Sequence, residues 1–119
     1  MTRTLYDTAP QNARAYRDIY PDALRGRPVD VRIIDVREPS EFTGELGHIP
    51  GASLVPLGTV STAASSWNRD ADLLVVCRSG GRSARAAEQL CAMGFRRVMN
   101  LAGGMLAYNE ANLPTSRSS

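Results

Sequence analysis

Asp72-Leu-Leu-Val-Val-Cys77-Arg-Ser-Gly-Gly-Arg82-Ser83 is the stretch on which the fold turns. Asp72 to Cys77 reads as a strand, because its apolar run is unbroken and carries β-branched valines, the pattern of a parallel strand covered on both faces. Arg78-Ser-Gly-Gly-Arg82 then reads as a turn, and a helix follows from about Ser83 to Met93. Ala87, Leu90, Cys91 and Gly94 fall at i, i+3, i+4 and i+7 and form its core-facing stripe. A buried strand passing through a glycine turn into an amphipathic helix is the first half of a βαβ unit.

Working outward, the period of the apolar residues keeps switching. Thr8 to Leu24 reads as a helix around Ala13, Tyr16, Ile19 and Tyr20, ended before Gly26 and Pro28. Val31 to Val36 is a short strand, Pro39 to Thr43 a helical turn with proline in its first turn, and Gly47 to Gly51 a turn. Ala52 to Val55 is a second short strand and Leu57 to Trp67 a helix. Beyond the central stretch, Arg97 to Leu101 is a strand, Gly103-Gly104 a turn and Met105 to Ala111 a last helix. Strands alternating with helices mean an α/β fold with a mostly parallel sheet. No internal repeat or linker divides the chain, so residues 5–113 read as a single domain, with 1–4 and 114–119 as flexible termini.

The 119 residues are 43% hydrophobic and 22% charged, the range of one ordinary domain. Such a chain can bury roughly two thirds of the surface its unfolded form exposes, so it folds without disulfide or metal. All 14 cationic side chains are arginine. The absence of lysine removes Schiff-base chemistry, a lysine general base and a phosphate-binding loop of the lysine type. One histidine and two cysteines are too few for an ordinary structural zinc site or a four-cysteine cluster. A net charge of +2, with the arginines dispersed, is no nucleic-acid footprint and suits a pocket for a small anion instead. No run approaches the ~18 apolar residues of a membrane span, and the first residues lack the apolar core of a signal peptide. The expected location is the cytoplasm, where Cys77 and Cys91 stay free thiols.

Cys77 stands at the carboxyl end of a buried strand, where ligands gather in open α/β sheets. Gly80 and Gly81 allow positive φ and bring bare N–H groups close to it. The helix beginning near Ser83 adds its positive end, and Arg78 and Arg82 add charge. Each favours thiolate; such surroundings lower a cysteine pKa to roughly 3.5–7.5 from about 8.5. A cysteine merely ending a strand needs neither two glycines nor flanking arginines, so Cys77 reads as a catalytic nucleophile. Cys91, on the apolar stripe of the helix, reads as core, with a resolving thiol as the alternative.

Four strings then carry a family likeness: Ile-Asp-Val-Arg-Glu (34–38), Gly-His-Ile-Pro-Gly-Ala (47–52), Val-Cys-Arg-Ser-Gly-Gly-Arg-Ser (76–83) and Asn-Leu-Ala-Gly-Gly-Met (100–105). Together, in this order, they resemble a single-domain rhodanese, a sulfurtransferase. The resemblance implies a rhodanese-like α/β fold, with a central, mostly parallel five-stranded sheet flanked by helices on both faces. It also implies an active-site loop over residues 77–82 and a persulfide on Cys77. Four residues separate Cys77 from Arg82, as in rhodaneses; the related cysteine phosphatases need five and a histidine where this chain has Val76. The shorter loop suits one sulfur atom more than a phosphoryl group.

The implied cycle takes sulfur from a small anionic donor such as thiosulfate and hands it to cyanide, a thiol or an acceptor protein, with no metal or organic cofactor. Backbone N–H groups from Arg78 through Ser79, Gly80, Gly81 and Arg82 to Ser83 are expected to hold the persulfide, while the Arg78 and Arg82 side chains attract the donor. Asp35 and Arg37 read as a structural pair near the site, and His48 as a backbone-bonding residue of its turn. Glu41 stands where two-domain thiosulfate rhodaneses, by the same comparison, carry arginine, which counts against thiosulfate as physiological donor. Gly103 and Gly104 are expected to turn the backbone near the site, and Trp67 reads as a partly buried anchor, not a cofactor platform. Two further readings are a sulfur-relay or interaction module acting on a partner protein, and a cysteine phosphatase or arsenate reductase on the same scaffold.

Overall fold

The computed structural model describes residues 4–11, 13–26 and 30–118. Five strands form one all-parallel sheet: β1 (Arg17–Ile19), β2 (Arg32–Asp35), β3 (Ser53–Leu54), β4 (Asp72–Val76) and β5 (Arg97–Leu101), in spatial order β1-β5-β4-β2-β3. The helices are α1 (Leu5–Thr8), α2 (Pro39–Phe42), α3 (Val60–Ala64), α4 (Gly81–Ala92) and α5 (Gly104–Glu110), with short 3-10 turns at Pro21–Leu24 and Leu57–Thr59. Among the described residues no helix is long and apolar enough to cross a membrane.

β4 is the middle strand, and its alternate side chains build two cores. Leu73, Val75 and Cys77 face the side of α3 and α4, with Ile34, Val36, Ala87 and Leu90. Leu74 and Val76 face the side of α1 and α5, with Ile33, Met99, Met105 and Tyr108. Being covered on both faces is what an unbroken apolar run encodes. The chain leaves β2 towards β3 through a segment that puts Leu46 and Ile49 in the second core, and leaves β4 towards β5 through α4 over the first. These connections diverge in opposite directions, which opens a crevice between the carboxyl ends of β2 and β4. Cys77 sits there.

The reading of Thr8 to Leu24 as one helix is wrong. Leu5–Thr8 is a single turn capped by the Thr4 hydroxyl, which accepts from Asp7 N at 3.1 Å, and Arg17–Ile19 is an edge strand on β5. A helix would put Tyr16 and Ile19 on one face, whereas here they enter opposite cores. The open edge of β5 needs partners for its N–H and C=O groups, and pairing with it outweighs the local helical period. Asn12, within that reading, and Pro28, beyond its end, lie outside the described residues.

Three smaller corrections concern α4 and the tail. The helix starts at Gly81, two residues before the expected position, and its buried stripe is Ser83, Ala86, Ala87 and Leu90. Cys91 packs at the rim of the core, and exposed Gly94, at φ +102, is part of the turn after the helix. Residues 114–118, expected as flexible, are docked: the backbones of Ser116 and His48 exchange bonds of 2.8 and 2.9 Å, and Arg117 Nη2 donates to Glu45 O at 2.7 Å. The tail satisfies backbone groups that the irregular 44–51 segment would leave open.

Candidate active site

The Cys77 side chain is 1% exposed and lies at the bottom of a cup formed by residues 77–83. The cup has its shape because α5 holds it from behind. Met105 N donates to Cys77 O at 2.9 Å and Leu106 N to Arg78 O at 3.0 Å, so the carbonyls turn towards α5 and the following N–H groups turn towards the sulfur. Gly104 makes this approach possible: at φ +57, a Cβ there would lie 2.5 Å from Cys77 O and from Arg78 C and O. Gly104 therefore sets how closely helix and loop meet, a larger part than turning the backbone, while Gly103, at φ +77, turns the chain into α5.

Gly80, at φ +104, lets the chain double back so that its N–H donates to Cys77 Sγ at 3.0 Å. Gly81 is not in the positive-φ region; it is the first residue of α4, which corrects the reading of both glycines as left-handed. The Ser83 hydroxyl lies 3.3 Å from Sγ. Burial pushes the thiol pKa up, but the Ser83 hydroxyl and the N–H groups of Ser83, Gly80 and Ser79 outweigh it, and the net direction is down. Hydrogen-bond donors carry the lowering.

The arginines divide. Arg82 is paired with Glu41 in a two-pronged bridge, Nη1 to Oε1 and Nη2 to Oε2 at 2.8 Å each, and is no open anion site. α2 presents Glu41 by its own end chemistry: Pro39 starts the helix, and Glu41 Oε1 accepts from Glu38 N at 3.1 Å. Contact with Arg82 holds the Glu41 carboxyl down at about 2. Arg78 is exposed and, among the described residues, has no acidic partner. With Ser40, Glu41, Glu45 and Leu46 it lines a cleft of about 380 Å³ beside the cup.

Asp35 and Arg37 form a closed, buried pair at the end of β2. Arg37 Nε and Nη2 donate to the Asp35 carboxylate at 2.9 and 2.7 Å, and Nη2 also reaches Gly47 O at 2.8 Å. His48 is buried, stacked on Phe42 with ring centroids 3.6 Å apart, and its Nδ1 bonds Phe42 O at 2.7 Å. Neither belongs to the cup; both fix the loop between β2 and β3. Sequence reasoning missed Glu41 as the partner of Arg82, and it missed Asn100. The latter is a buried amide whose Oδ1 accepts from Ser83 Oγ at 2.5 Å. A lone polar residue inside Val98-Met-Asn-Leu101 was the available signal. Among the described residues no three of His, Cys, Asp and Glu gather as a metal site.

Residues 20–111 match the model of the rhodanese-like domain. A sulfurtransferase of Allochromatium vinosum is 38% identical over 85 residues, 71% of this chain and 78% of that one. The thiosulfate sulfurtransferase GlpE of Shewanella oneidensis is 38% identical over 82 residues, 69% of this chain and 79% of that one. Among solved structures, a rhodanese-related protein of Thermoplasma volcanium superposes with a TM-score of 0.76 at 29% identity, over 87% of this chain and all of that one. Three other matched proteins are longer, and the chain spans 52%, 37% and 48% of them.

Proposed function

The chain belongs to the rhodanese-like family, and from that premise we propose that it transfers a sulfane sulfur from a donor such as thiosulfate to a thiophilic acceptor through a persulfide on Cys77. The observation that carries the reading is the cup itself, in which Gly80 N and the Ser83 hydroxyl lie 3.0 and 3.3 Å from a buried sulfur. Donors converging on one atom stabilise negative charge there.

In the first step the Cys77 thiolate attacks the outer sulfur of thiosulfate, a new S–S bond forms, the old one breaks, and sulfite leaves with the electron pair. In the second, cyanide or a thiolate attacks the outer persulfide sulfur, and Cys77 leaves as the thiolate it began as, held by the same N–H groups. No proton has to move within the cup. Arg78, open to the cleft, receives the anionic end of the donor. With Arg82 tied to Glu41, Arg78 is, among the described residues, the one unpaired arginine of the cleft to serve a dianion, so a neutral or thiol-bound persulfide donor competes well with thiosulfate. The acceptor is a small thiol, cyanide or a partner protein's thiol. Thiolate chemistry and two free cysteines suit a reducing compartment, and we place the protein in the cytoplasm.

The test is thiocyanate formation from thiosulfate and cyanide, beside hydrolysis of an aryl phosphate. Sulfur transfer is expected, with phosphate hydrolysis near background; the reverse ranking makes the protein a phosphatase. Arg78→Ala should raise the thiosulfate KM roughly ten- to a hundredfold with kcat less affected, the loss of one charge-assisted contact. Unchanged thiosulfate kinetics in that variant would point to a relay that takes its sulfur from a partner protein.

A further inference from the structure

The Ser83 hydroxyl has one proton and three acceptors within reach: Asn100 Oδ1 at 2.5 Å, Gly80 O at 3.2 Å and Cys77 Sγ at 3.3 Å. The shortest of these points away from the sulfur. Asn100 offers an oxygen there because its other end is engaged: Nδ2 donates to Asp18 Oδ1 at 3.1 Å, on the edge strand β1. An ionised carboxylate only accepts, so Asp18 fixes the amide with nitrogen outward and oxygen towards Ser83. The register that pairs Asp18 with Asn100 across β1 and β5 delivers this contact. Asp18 is 27% exposed and lies 3.7 Å from Arg14, so solvent reaches the far end of the chain of bonds while Asn100, Ser83 and Cys77 are buried.

We propose that Asp18 and Asn100 are positioning residues that compete with Cys77 for the Ser83 proton, so that the sulfur receives only part of the hydroxyl's donation beside the backbone N–H groups and stays a stronger nucleophile. The inference rests on Cys77 being the sulfur carrier. Without the pull, the hydroxyl turns to Sγ, the thiolate is better stabilised, its attack on a donor slows and its departure from the persulfide quickens, since nucleophilicity and leaving ability move in opposite directions with thiol basicity. Among the described residues, the charged groups around the sulfur are Arg78 beside it in the loop and open to the cleft, Arg82 on α4, bound to Glu41, the self-paired Asp35 and Arg37 at the end of β2, and Asp18 on β1 beyond Asn100.

The experiment is the pH profile of iodoacetamide alkylation in a Cys91→Ala background, where Cys77 is the sole thiol. Asp18→Ala frees the Asn100 amide to rotate, and it should move the inflection down by roughly half a unit to one unit. Asn100→Leu removes the competing acceptor outright and reports the same shift independently. Asp18→Asn loses the charge but keeps an oxygen for Asn100 Nδ2, so its inflection should stay with the parent. Ser83→Ala should move the inflection up, and adding Asp18→Ala to it should do nothing further. The proposal is overturned if Asp18→Asn shifts the inflection as far as Asp18→Ala, or if the Asp18→Ala shift persists without Ser83; either result makes the effect one of charge at a distance. Alkylation reads the thiol alone, so loss of the carrier reading would appear in sulfur transfer, and loss of this one in the profile.

Discussion

The carboxyl ends of β2 and β4 lie side by side, and each brings charged and polar groups to the crevice, but they treat those groups in opposite ways. At β2, Asp35 and Arg37 satisfy each other and Gly47, and both are buried. At β4, Gly80 N and the Ser83 hydroxyl converge on the Cys77 sulfur. A polar group closed on a partner stiffens the scaffold; donors aimed at one reactive atom form a site. The same contrast divides the loop arginines, Arg82 being closed on Glu41 and Arg78 open to the cleft.

The contrast is sharpened most by opening the closed end. Arg37→Ala leaves the Asp35 carboxylate buried without its partner and should cost about 3–5 kcal/mol in urea denaturation. If the variant loses sulfur transfer while unfolding at the parent's midpoint, Arg37 is chemistry and the division fails. Gly104→Ala pushes a methyl into the carbonyls of Cys77 and Arg78 and displaces the cup; kcat should fall roughly a hundredfold, with a stability loss of about 1–3 kcal/mol. Unaltered kcat would mean that α5 does not aim the N–H groups.

Glu41 and Arg82 give a smaller effect, read by pH. Because the Glu41 carboxyl is held at about 2 against an ordinary 4.5, its pairing contributes stability above the unfolded value, and that contribution is lost as pH falls through about 2. Parent and Glu41→Gln should therefore differ by no more than about 1 kcal/mol above pH 4.5, the pair being partly exposed, and converge towards pH 2. A difference that grows with acidification would contradict the pairing. Cys91→Ala is expected to do least: a rim side chain is trimmed and sulfur transfer stays near the parent level, whereas a resolving thiol would be missed at once.

What could be read in the chain beforehand follows the range of the forces involved. β4, the glycine turn and α4 are local patterns, and the run of valines, the paired glycines and the alanine-rich helix each state their role within a few residues. β1 is invisible locally, because three residues become a strand only when β5 presents its edge, and the apolar spacing of Tyr16, Ile19 and Tyr20 imitates a helix. Cys77 and its donors were legible for the same reason as β4. The bond from Glu41 to Arg82 joins residues 41 positions apart and that from Ser83 to Asn100 joins residues 17 apart, so sequence named three of these four residues without joining them. The start of α4 at Gly81 was hidden because a glycine is a poor announcement of a helix, although here only Gly80 needs left-handed backbone.

Whether sulfur rides on Cys77 is decided by intact-mass analysis of the protein after incubation with thiosulfate. The protein should gain one sulfur atom, mapped to Cys77 by peptide analysis, discharged by cyanide and absent in Cys77→Ala. A sulfur carried on Cys91, or an adduct that survives Cys77→Ala, would contradict that assignment.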